Sequence, residues 1–128
     1  MKIISFDVEE WFHLLNKKHL NDQGLWHQYP SRIENQIDKI LYLLNNYQIK
    51  ATFFCLGWVA KKYPELIKKI HNCGHQIGSH SYAHQLISYQ TKTEFLEDLK
   101  KSIYCLEEII GEKVICFRAP GFSINKLN

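Results

Sequence analysis

Apolar positions along the chain follow two alternating periods. Lys2 to Asp7 is an apolar run ending in acid and reads as a first strand. Ser31-x-x-Glu34 has the form of a capping box, and Ile33, Ile37, Ile40, Leu41 and Leu44 follow at helical spacing, predicting a helix over 32–46. Ile49 to Leu56 is rich in β-branched and aromatic residues and closes on Gly57, a second strand. Pro64 suits the first position of a helix whose stripe is Leu66, Ile67 and Ile70, with Gly74 as its stop. His75 to Ser79 is a third, short strand. Thr91-x-x-Glu94 is a second capping box, opening a helix with Phe95, Leu99, Ile103, Leu106 and Ile110 on one face and Gly111 at its end. Val114 to Phe117 is the fourth strand expected.

Strands alternating with helices predict an α/β fold of about four parallel strands with covering helices and right-handed crossovers. Residues 13–30 show no periodicity, and insertions of that length usually frame a site. No helix follows the fourth strand before Asn128, which leaves edge strands needing cover. A single domain over 1–128, cut short at its C-terminus, is the expectation.

Composition narrows the class. Among 128 residues, 45% are hydrophobic and 23% charged, with 6 Gly and 3 Pro, which excludes disordered and collagen-like chains. No apolar run approaches the roughly 18 residues of a membrane span. Acids at Asp7 and Glu9 interrupt any secretory core, so a cytoplasmic location is expected. The net charge of +3 comes from scattered lysine pairs, which gives nucleic-acid binding little support. Cys55, Cys73, Cys105 and Cys116 form no C-x-x-C pair and sit among apolar residues, predicting buried reduced thiols rather than disulfides or zinc ligands.

Three polar clusters each fall at the C-terminal end of an expected strand, and in a parallel sheet those ends share one rim. In Asp7-Val8-Glu9-Glu10, strand alternation turns Asp7 and Glu9 to one face, with Glu10 as the substitute if the strand has already broken. In His80-Ser81-Tyr82-Ala83-His84, a four-residue spacing on a helical turn would stack both imidazoles on one side. Two histidines and a carboxylate leave open positions, as catalytic Zn²⁺ or Fe²⁺ sites require; two solvated surface histidines are the bland alternative. Arg118, in Arg118-Ala119-Pro120, needs a carboxylate partner, and Asp7 is the natural one, either to orient that acid or as a structural salt bridge. His13, His19 and His27 are expected to be solvated, with His13 close to the acids. His71 and His75 flank a helix end. Trp11, Trp26 and Trp58 fit core packing better than sugar stacking.

Taken in order, Ser5-Phe6-Asp7-x-Glu9, Ala51-Thr52-Phe53-Phe54, Gly74-His75-x-Ile77-Gly78-Ser79-His80-Ser81-x-x-His84 and Phe117-Arg118-Ala119-Pro120 resemble the landmarks of the polysaccharide deacetylases, the NodB-homology or carbohydrate esterase family 4 group. The wider wording of Asp7 to His13 and Arg118 to Ile124 resembles the branch associated with bacterial exopolysaccharide loci.

That resemblance implies a partial (β/α) barrel of the NodB type. It implies a metal-dependent hydrolase that removes N-acetyl groups from amino sugars of a polysaccharide. Asp7 would be the general base, Glu9, His80 and His84 the ligands of a divalent metal, with zinc first, and Arg118 the residue that positions Asp7. Glu9 stands where the family more often has Asp, so Glu10 stays open as the ligand. Gly121 follows the Pro where many members carry an aromatic, leaving its backbone amide as the oxyanion donor. The family's later motifs, including a histidine general acid, have no counterpart, so the chain resembles the N-terminal half of the barrel, with a missing C-terminal half or a dimer partner as its complement. The alternative is an inactive half-barrel that binds carbohydrate or a partner protein.

Overall fold

The computed structural model describes residues 3–15 and 17–126. Three strands, β1 (Ser5–Val8), β2 (Thr52–Cys55) and β3 (Gln76–Ser79), form a parallel sheet in the order β1-β2-β3. Parallel pairing demands crossovers, and helices supply them: α1 (Ile33–Asn46) between β1 and β2, then α2 (Gly57–Lys62) and α3 (Pro64–Asn72) between β2 and β3. Helix α4 (Lys92–Ile110) follows β3. The outermost part of the strand expected from Lys2, Lys2 itself, lies outside the described residues.

Register separates the two faces of the sheet. Phe6, Phe53 and Ile77 lie side by side, as do Val8, Cys55 and Ser79. Phe53, Val8 and Cys55 are fully buried and share the main core with Ile37 and Leu41 of α1, Ile67 and Ile70 of α3, and Leu106 of α4. Burying each such side chain is worth roughly 1.5–3 kcal/mol. The opposite face carries the row Asp7, Phe54 and Gly78. It is the more open of the two: Asp7 is exposed and Phe54 half-buried.

The expected caps divide by range. Thr91 Oγ1 accepts from Glu94 N while Glu94 accepts from Thr91 N, completing the α4 box, and Gly111 closes that helix at φ 69°. Pro64 opens α3 and Gly74 follows it at φ 78°. The Ser31 box does not form. Ser31 Oγ instead donates to Glu10, whose carboxylate also accepts from Arg32 N and Ile33 N at 3.2 and 3.4 Å and so caps α1 from another segment. Helix α2 was not expected; Gly57 opens it rather than only ending β2.

The fourth expected strand, Val114–Phe117, is reduced to one parallel bridge, Phe117 with Ser79, held by Ser79 N to Cys116 O and Arg118 N to Ser79 O, each 2.9 Å. Its start is diverted because Val114 N donates to Glu107 of α4 at 3.0 Å and not to the sheet. The cysteines are free as expected, but only Cys55 is buried; Cys73 is exposed and the other two half-buried.

The aperiodic segment after β1 is anchored by aromatic packing. Phe12, Leu20 and Trp26 form a second small core, with Tyr29 and Trp58 against it, around two 3-10 turns at Lys18–Leu20 and Gln23–Gln28. Trp26 Nε1 donates to Leu20 O at 2.6 Å. Two of the three tryptophans therefore pack as expected, and Trp11 lies nearer the surface. Among the described residues no helix is long and apolar enough to cross a membrane.

Candidate metal centre

Because the three strands run parallel, their C-terminal ends share one rim, and the polar clusters meet there. Asp7 lies within β1 and Glu9 just past it, with Val8 buried between them on the other face. His80 follows β3 directly, its backbone N donating to Cys55 O at 3.0 Å. Arg118 follows the bridge residue Phe117.

His80 and His84 are not on a helical turn. Residues 80–84 form an irregular turn with Ser81 at φ 69° and His84 at φ 53°, left-handed values that cost a non-glycine residue free energy. The imidazoles nevertheless converge, with ring centres 5.1 Å apart. His84 Nε2 lies 2.6 Å and His80 Nε2 3.9 Å from Glu9 Oε2. Glu9, His80 and His84 thus offer one ligand atom each, all within 4.8 Å of one another.

The donor set fits a divalent cation. Glu9 Oε2 is buried and its polar neighbours among the described residues are the imidazole nitrogens of His84 at 2.6 Å and His80 at 3.9 Å, so a carboxylate oxygen and two ring nitrogens converge on one point. His80 Nδ1 must donate to the Arg118 carbonyl at 2.8 Å, which leaves Nε2 with the lone pair a metal needs. Burial holds the His80 imidazole below the ordinary histidine value, against the pull of Asp7. A neutral ring is the ligand form.

Beside this group, Arg118 Nη1 donates to Asp7 Oδ1 at 2.7 Å, the pair expected from sequence, while Asp7 Oδ2 lies 3.8 Å from His80 Nε2. Glu10, the substitute ligand, is 3% exposed with its carboxylate occupied at α1, which leaves Glu9 as the acid facing the imidazoles. Gly121 sits in a 3-10 turn at φ 58°, and a Cβ there would meet Leu86 and Leu15 at under 3 Å. Those two leucines and His84 line one cavity of about 340 Å³, which puts the turn beside the centre.

Three neighbours had no assigned part. Ser5 Oγ accepts from Arg118 Nη2 at 2.6 Å. His13, expected to be solvated, is buried, with Nδ1 accepting from Glu10 N at 2.9 Å. Burial, with His84 adding to it, drives its pKa down to about 3. Its position three residues after Glu10 was the signal available. Asp98, half-buried in line with Ser102 and Leu106 on α4, belonged to none of the polar clusters and left no signal.

Residues 22–127 match the family described as polysaccharide deacetylase. The chain is 39% identical over 90 residues to the uncharacterized protein YlxY of Bacillus subtilis, covering 70% of this chain and 28% of that protein. It is 37% identical over 82 residues to a peptidoglycan-N-acetylglucosamine deacetylase of Bacillus cereus, covering 64% of this chain and 30% of the relative. The chain therefore spans less than a third of the length of either. The structure of the peptidoglycan deacetylase PdaC from Bacillus subtilis superposes with a TM-score of 0.75 at 25% identity, over 98% of this chain and 51% of that one. The matched stretch runs through both imidazoles and the late arginine, and the shared fold takes in the acids of β1 as well; the chain belongs to the polysaccharide deacetylase family.

Proposed function

We propose that the protein is a metal-dependent hydrolase that removes N-acetyl groups from amino sugars of a polysaccharide, with Glu9, His80 and His84 as metal ligands and zinc as the ion. The observation that carries this reading is the juxtaposition of a buried carboxylate oxygen with two imidazole nitrogens, next to a second carboxylate clamped by arginine. The deacetylase names of its relatives support the same chemistry.

A divalent cation at these ligands would polarise an acetamide carbonyl and acidify water. The chain's own residues supply the rest. Arg118 holds Asp7 Oδ1, so Oδ2 is the oxygen left to take a proton from the attacking water. Ser5 fixes the other arm of the guanidinium. His80 Nδ1, tied to the Arg118 carbonyl, keeps its ring oriented. The Gly121 amide, in the turn beside the cavity, is the backbone donor for the oxyanion. Attack forms the C–O bond, the C–N bond breaks, and the proton that Asp7 takes from the water passes to the departing nitrogen, giving acetate and a free amine.

Acetate release is the test. Zinc-supplied protein is expected to release acetate from N-acetylated chito-oligosaccharides or peptidoglycan fragments, at a rate far below that of the longer deacetylase relatives, and not from acetyl-xylan, whose acetyl groups are esters. Both amide-bearing glycans are assayed because the deacetylase relatives act on peptidoglycan while the wording around Asp7 and Arg118 resembles the exopolysaccharide branch. Glycan binding without turnover would replace this reading with that of a carbohydrate-binding protein.

A further inference from the structure

The turn that carries both imidazoles is bent through two left-handed non-glycine residues, so something must hold it. From one side, the first amides of α2 do so: Gly57 N donates to Ser81 O at 2.9 Å and Trp58 N to Tyr82 O at 3.2 Å. Inside the turn, His84 N donates to Ser81 Oγ at 3.0 Å. Two consecutive amides, Tyr82 N and Ala83 N, remain. Both donate to one carboxylate on α4, Asp98, at 2.8 Å to Oδ1 and 3.0 Å to Oδ2.

We propose that Asp98 is a positioning residue for the metal centre: by binding both amides between His80 and His84, it fixes the spacing of the two imidazoles. The proposal rests on the reading of those imidazoles as ligands. A carboxylate suits the task because it offers an acceptor to each amide, whereas an asparagine offers one acceptor and turns an N–H toward the other. The surroundings are closely packed. A Cβ on Gly57 would meet Tyr82 at 2.5 Å and the Ser102 backbone at 2.9 Å, so α2, the turn and α4 press together. Ser102, one helical turn beyond Asp98, shares a 2.8 Å hydrogen bond with Ser79 at the end of β3, and Lys101 lies 3.7 Å from the Tyr82 ring centre. Helix α4 therefore grips the segment at its start through Ser102 and in its middle through Lys101 and Asp98.

The test compares the parent with Asp98→Asn and Asp98→Glu, reading Co²⁺ and Zn²⁺ affinity by chelator competition, the Co²⁺ absorption envelope, and amide hydrogen exchange at Tyr82 and Ala83. Asp98→Asn is expected to weaken metal affinity about 10- to 100-fold, the range found when partners of metal ligands are removed. It is also expected to alter the Co²⁺ envelope and speed exchange at both amides. Asp98→Glu, which keeps both acceptors, is expected to restore most of the affinity, which a general loss of stability would not predict. Should Asp98→Asn fail to fold, Asp98→Ser is read in the same way. Metal affinity unchanged in a folded Asn or Ser variant overturns the proposal. If the parent itself takes up no metal, the ligand reading fails. Exchange at Tyr82 and Ala83 then decides the clamp by itself, and unchanged protection overturns it.

Discussion

Arg118 Nη1 donates to Asp7 Oδ1 at 2.7 Å across 111 positions of sequence. The same residue places its guanidinium 4.2 Å from the centre of the Phe54 ring, gives Nη2 to Ser5, and offers its backbone carbonyl to His80 Nδ1. Side chain and main chain of one arginine thus orient an acid on β1 and an imidazole just past β3.

Replacing Arg118 with lysine separates these two parts. The planar fork that reaches Asp7 and Ser5 together is lost, while the carbonyl that holds His80 is kept. Acetate release is expected to fall about 100-fold, the low end of what a general base contributes, with metal content unchanged. Full activity in steady-state assays would remove Arg118 from the machinery.

Removing either imidazole should remove the ion. His80→Ala and His84→Ala are expected to bring bound metal per chain, measured by elemental analysis, from about one to near zero, since two ligands do not make a closed or catalytic site. Undiminished uptake would show that the ion sits elsewhere.

The neighbouring acids should behave oppositely. Glu10 accepts from Ser31, Arg32 and Ile33 at the start of α1, so Glu10→Ala leaves several donors without their acceptor and is expected to cost about 1–3 kcal/mol by urea unfolding while sparing metal uptake. Glu9→Ala is expected to lose the metal with little loss of apo stability. The reverse pattern would make Glu10 the ligand.

Stability should also fall in mild acid. His13 titrates near 6.5 when unfolded and near 3 when folded, because burial and His84 oppose its charge. Its Nδ1 is also occupied as an acceptor. Between those values the unfolded chain binds a proton that the folded protein does not, so stability is lost as the pH drops from 6.5 toward 3. By pH 5 the loss is about 2 kcal/mol. His13→Asn keeps an acceptor for Glu10 N and should lose correspondingly less between pH 7 and pH 5. Equal losses in denaturant titrations of parent and variant would exclude His13 as the source.

Signals that act within a few residues were legible in the chain itself: the Thr91–Glu94 box, Pro64 opening α3, and the left-handed glycines 74 and 111. Alternation within β1 turned Val8 inward and Asp7 away, and the order of elements put the acids, imidazoles and arginine on one rim. What the sequence left open depended on competition between distant groups. Glu10 displaced the Ser31 box from 21 residues away, Glu107 drew Val114 out of the sheet, and Asp98 holds the turn between the two imidazoles from α4. A backbone amide or carboxylate bonds to whatever partner the packed fold brings within about 3 Å, and only tertiary structure decides which partner that is. Local periodicity determined the three strands of the sheet and helices α1, α3 and α4; helix α2, the choice of Glu9 over Glu10 at the imidazoles, and the burial of His13 were decided by the fold.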